Sequence, residues 1–135
     1  MGTALTSAVI GKNTNFAPDQ FFVAQALADT AATTSGEFLF PQTLGKAELK
    51  IVANTEVATG VGETLVISVQ VASASGGSFA EVFSKTIPAS TTIAIGDDVA
   101  QYVAPREVGN CYTKVVITSD YDALALKVDG IVIEV

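Results

Sequence analysis

Glu63-Thr64-Leu65-Val66-Ile67-Ser68-Val69-Gln70-Val71 is the stretch on which the fold turns. Leu65, Ile67, Val69 and Val71 stand at every second position, with Val66, Ser68 and Gln70 between them. A period of two sends successive side chains to opposite faces, so one face is apolar and the other mixed. That is the pattern of a strand in a sheet packed on one side.

The same period recurs on either side. In Lys46 to Ala53, Ala47, Leu49 and Ile51 alternate with Glu48 and Lys50. A helix can carry that octet, but Ile51-Val52 followed by Asn54-Thr55 favours a strand. Cys111, Thr113, Val115 and Ile117 oppose Tyr112, Lys114 and Val116 in a third strand, Cys111 to Thr118. Near the end of the chain, Leu124, Leu126 and Val128 share one face, while after Gly130 the apolar set is Ile131, Ile133 and Val135. A slip of phase needs an inserted residue, so Asp129-Gly130 reads as a β-bulge in one long strand. A tight hairpin at Asp-Gly is the rival, though it leaves only a short last strand.

Val, Ile and Thr supply 41 of the 135 residues, and their stiff, branched side chains suit a pleated surface better than a helix. Turn formers punctuate the chain at Gly45, Asn54, Gly60, Gly62, Gly76-Gly77, Pro88, Gly96, Pro105 and Gly109-Asn110. Gly60-Val61-Gly62 lacks the third Gly and the Lys-Ser/Thr of a phosphate loop, and a strand follows it, so it reads as a hairpin loop. Gly76-Gly77 reads as a second loop between strands. The N-terminal third is less regular. Residues 1–18 read as an arm that orders only against something else. Phe21 to Leu27 fits a helix opened by Pro18 or an extended apolar strand. Thr30 to Gly36 reads as a linker, and Glu37 to Phe40 as a short strand stopped by Pro41. The expected architecture is all-β: a two-sheet antiparallel sandwich or jelly roll over 19–135, with an extended N-terminal arm over 1–18.

Composition narrows the chemistry. There is no His, so Ser-His-Asp triads, Cys-His pairs and His-ligated metals are excluded. One Cys, Cys111, gives no internal disulfide and no metal cluster, and it reads as a small apolar strand residue. A net charge of −7 disfavours nucleic acid. No apolar run approaches ~18 residues and no leader is evident, so a soluble protein made in a cytosol is expected, with no membrane partner. Asp97-Asp98 and the pair Asp120 and Asp122 could hold Ca²⁺, but neither matches a calcium loop, and Asp in a turn bonds backbone without a ligand. Aromatics are 7% with no Trp, which argues against sugar stacking by a glycosidase. No enzyme and no cofactor is expected.

The candidate contact residues are aromatic and cationic. Phe16, Phe21, Phe22, Phe38 and Phe40 concentrate in the first third, as core or as anchors to a neighbouring subunit. Phe16, Phe21 and Phe22 are the interface candidates, together with Arg106, the only Arg in the chain.

Several segments taken together resemble the jelly-roll capsid cement (decoration) proteins of tailed bacteriophages. They are Gln25 to Ser35, Thr64 to Gln70, Phe79-Ala80-Glu81-Val82-Phe83, Ile93-Ala94-Ile95-Gly96, Ala104-Pro105-Arg106, Cys111 to Val115, and Lys127 to Val135. The likeness is at the level of strands, with no catalytic signature, and some twenty residues precede it. It implies a non-enzymatic virion protein, made in the host cytoplasm, that sits on the capsid exterior. Its partners would be the major capsid protein and itself, as a homo-oligomer (dimer or trimer). An acidic chain suits that outer face, because the inner face meets packaged DNA. The alternatives are a minor virion component of tail, fibre or baseplate, and a ligand- or carbohydrate-binding β-sandwich.

Overall fold

A computed structural model describes residues 20–39, 46–105 and 112–134. The segment 1–18, with Phe16, lies outside the described residues, as do Phe40, Arg106 and Cys111.

The described chain is all-β and antiparallel, with these strands in order. They are β1 (Gln20–Ala26), β2 (Ala32–Thr34), β3 (Phe38–Leu39), β4 (Lys46–Ala53), β5 (Val57–Ala58) and β6 (Leu65–Ala72), then β7 (Ala80–Ile87), β8 (Thr92–Ile93), β9 (Asp98–Pro105), β10 (Tyr112–Ser119) and β11 (Lys127–Glu134). One sheet has the order β1-β11-β4-β9. The other has the order β2-β10-β6-β7, with β3 also on β10. Strands consecutive in sequence mostly alternate between sheets, and the last strand of each sheet's sequence returns beside its first. That is the double Greek key of a jelly roll. The short pair β5-β8 forms a ribbon at one end.

The alternation in the sequence explains the core. Leu65, Ile67 and Val69 of β6 meet Leu49 and Ile51 of β4, Val115 and Ile117 of β10, and Val128 of β11, all buried. Each face contributes the apolar half of its strands, which is what makes two sheets adhere. At one side of the sandwich, Phe21 stacks on Phe38, with centroids 5.2 Å apart. At the other, Phe83 meets Tyr102 at 5.0 Å. There Lys85, on the inward face of edge strand β7, reaches across to donate to the Val99 carbonyl at 3.0 Å. An inward charge on an edge strand is costly for any further strand to pair against.

The structure decides for strand over helix in Phe21 to Leu27, with β1 ending at Ala26, and it corrects three expectations. First, β11 carries no bulge. Its pairing with β4 runs without interruption from Val128↔Ala53 to Glu134↔Ala47. The irregularities lie on β1, between Gln20 and Phe22 and between Phe22 and Gln25. No phase slips in β11: Val128 and Gly130 are buried, Val132 packs on the core, and Ile131 and Ile133 face outward. An inward glycine followed by outward isoleucines mimics a slip in the hydrophobic pattern. Second, Thr30 to Gly36 is not a linker. Ala32–Thr34 pairs with β10, and Ser35 continues the join, donating its N–H to the Val115 carbonyl while its Oγ accepts the Val115 N–H, each at 2.9 Å. Short Ala/Thr/Ser side chains hide a strand whose worth is its backbone bonds. Third, Gly60-Val61-Gly62 is a turn, with φ of 74° at Gly62, but not a hairpin. It joins β5 to β6, which pair with β8 and β10/β7 and not with each other. Gly76-Gly77 does sit in a true hairpin, between paired strands β6 and β7.

Candidate interaction surface

Antiparallel pairing brings every second connection to the same end of a sandwich. Here segments 27–31, 54–64, 88–97 and 120–126 converge at one end. They carry Asp29, Glu56, Glu63, Asp97, Asp120 and Asp122, and no Lys or Arg. These segments thus carry six of the fourteen acidic side chains and none of the seven basic ones.

Cross-loop hydrogen bonds hold the four segments together. Asp120 accepts the Thr64 N–H at 2.7 Å and the Thr64 hydroxyl at 2.8 Å. Both bonds favour the ionised form, the backbone one most, and hold the Asp120 carboxyl below its usual 3.8. Tyr121 donates its hydroxyl to the Ala58 carbonyl at 2.9 Å. Burial raises its pKa above the usual 10.0, and the nearby charges of Glu63 and Asp120 push it the same way. Thr59 donates its hydroxyl to the Pro88 carbonyl at 2.6 Å and accepts the Thr91 N–H at 3.0 Å. Ser90 donates its N–H to the Gly60 carbonyl, and Gly96 to that of Ala53. Ala123 donates its N–H to Ala28, which joins the first and last of the four.

Three large apolar side chains stand out from these loops. Val61 is 93% exposed, Ile95 69% and Leu124 58%. None is needed by the core beneath. Leu124 sits in a turn closed by the Leu126 N–H to Ala123 carbonyl bond at 3.0 Å, before β11 begins, and Ala123 and Leu126, not Leu124, pack into the core.

The residues singled out in the sequence fall elsewhere. Phe22 is buried at 3% exposure, and Phe21 packs half-buried on Phe22 and Phe38. Phe22 serves its own sandwich, which corrects the expectation that it anchors a neighbour, while Phe21 packs against that core and stays partly exposed. The bulges in β1 are the reason, since two adjacent residues there turn to the same face. Phe16 and Arg106 lie outside the described residues. Asp98 lies 3.7 Å from Lys50 in a partly exposed ion pair. Asp122 accepts the Leu124 N–H at 3.1 Å, a bond within its own turn. Among the described residues no group of three or more His, Cys, Asp and Glu is placed to hold a metal ion. Between the sheets, Phe21, Leu49, Ile67, Phe83, Tyr102 and Val115 help to line a cavity of about 10 Å³. That is room for no more than one water, between apolar walls. The acidic end was missed in the sequence because its six carboxylates are spread over some ninety residues; their common signal is that each falls in an alternate connection.

No family model matches the chain, and no curated protein does. Among solved structures it is similar to "Crystal structure of PirA", with a TM-score of 0.35 and 12% identity, covering 91% of this chain and 96% of that one. A likeness at that level carries no argument about fold or function.

Proposed function

We propose that this chain is a capsid decoration protein: a non-enzymatic component of a bacteriophage head that binds the outer surface of the assembled shell and bridges major capsid subunits. The observation that supports the reading best is the strand order, β1-β11-β4-β9 over β2-β10-β6-β7, the jelly roll implied by the sequence resemblance. Fold alone assigns no activity. The rest of the support is chemical. The chain has no His, and Glu63, Asp120 and Asp122 accept backbone N–H groups of their turns. Its acidic balance suits the exterior of a particle that holds nucleic acid inside.

The mechanism is mass action. A protein that binds only the assembled lattice adds its binding free energy to the stability of that lattice. Modest contacts repeated by symmetry suffice.

The test is the copy number of this chain in particles purified from its source, by quantitative mass spectrometry. Hundreds of copies, comparable to the major shell protein, are expected. A handful would move it to the tail or a vertex, and none would discard the virion reading.

A further inference from the structure

We infer that the acidic end of the sandwich is the surface that docks, and that it fits a protein surface with a lysine- and arginine-bearing rim around shallow apolar depressions. The inference rests on the decoration-protein reading, and the occupant is then the outer face of the shell.

Val61, Ile95 and Leu124 are the first observation. Each is more than half exposed, they lie on three different loops, and those loops share one end. Burying exposed apolar side chains on a partner removes them from water, which favours association. Loops are ordinarily expensive to dock because they must be ordered first. These are already held, by Asp120 to Thr64, Tyr121 to Ala58, Thr59 to Pro88 and the β5-β8 ribbon.

Charge selects the partner. Six carboxylates with no cation among them rim the apolar tips. A basic surface complements them, which sets orientation and speeds encounter. Like charge opposes a second copy of this end, a nucleic acid or an anionic lipid surface. The outer face of the β1-β11-β4-β9 sheet offers no comparable sign. It exposes Val23, Val103 and Ile133, but its charges are of both signs, Glu48 and Asp129 beside Lys50 and Lys127.

The experiment uses full-length chain and shells stripped of it, with co-sedimentation from about 50 to about 500 mM salt, a range over which surface charges become screened. Three variants are compared with wild type after melting curves show them folded. They are V61S/I95S/L124S, D29N/E56Q/D97N, and V103S/I133S on the sheet face. We expect the first to lose about tenfold or more in affinity at every salt concentration, which corresponds to about 1.4 kcal/mol or more. The second should weaken binding at low salt and flatten its salt dependence. The third should bind as wild type. If the tip variant binds as wild type, or only the sheet-face variant loses binding, the docking surface is wrong while the decoration reading stands. If wild type does not bind stripped shells, both fall.

Discussion

The ring of Phe21 occupies the space that a side chain at residue 130 would need. A Cβ built on Gly130 would lie 2.6 Å from Phe21 Cζ and 2.7 Å from Cδ2, closer than carbon atoms approach. Gly130 sits on the inward face of β11, opposite Ile51 and next to Phe22 of β1. The aromatic ring fills the gap that the glycine leaves, and the bulge in β1 delivers it there. Gly130→Ala should therefore destabilise the fold by about 1–3 kcal/mol, the range for overpacking a core. Urea unfolding measures it. Combining the change with Phe21→Leu should recover part of the loss, and strict additivity of the two would show that they do not interact.

Asp129 secures the same irregular strand from the outer side. Its carboxylate accepts the Ala24 N–H at 2.7 Å and the Asn54 side-chain amide at 3.0 Å. Ala24 has a φ of 43°, a conformation that an L-residue holds only under constraint. Asp129→Ala should cost about 1 kcal/mol, since the site is exposed. Amide exchange at Ala24 should rise well before the global melt changes. Unaltered exchange would mean that β1 holds its bulge without the carboxylate.

Asp120 makes the acidic end sensitive to acid. Its folded pKa lies below 3.8, so its contribution is fully present above 3.8 and is lost as the pH falls through the lower folded value. At neutral pH Asp120→Asn should show faster exchange at the Thr64 amide than wild type. The difference should shrink as pH drops below 3.8. A difference that persists unchanged into strong acid would assign the tie to something other than the carboxylate charge.

Tyr121 has the opposite sign. Its folded pKa lies above 10.0, so the neutral phenol stabilises the fold below 10.0, and that contribution is lost as pH rises through the higher folded value. Tyr121→Phe removes the bond to the Ala58 carbonyl and should cost about 1 kcal/mol near neutrality. Melting temperatures of the two proteins should converge in alkali, and parallel curves would count against the assignment.

Strand β1 belongs to the domain. A chain starting at Gln20 keeps Phe21 and Phe22 and should melt cooperatively. One starting at Leu27 loses both from the core and should not, because deleting a large buried aromatic costs about 3–5 kcal/mol. Circular dichroism of the two truncations decides it.

The sequence by itself determined the strands that face water on one side. Glu63 to Val71, Lys46 to Ala53 and Cys111 to Thr118 each show the alternation of a half-buried strand, and the structure places β6, β4 and β10 over them. From these and the spacing of turns, the two-sheet jelly roll was readable. Strands whose side chains say little were not: Ala32–Thr34 is defined by its pairing with β10, a backbone property that no hydrophobic pattern records. Gly130 misled for a related reason, because the group that fills its place comes from Phe21, more than a hundred residues away. Only the tertiary structure decided that Phe21 and Phe22 turn inward together, and that Asp29, Glu56, Glu63, Asp97, Asp120 and Asp122 share one end with Val61, Ile95 and Leu124. Periodicity is a local property of the chain. Which loops meet depends on strand order, and that order follows from the packing of distant faces against one another.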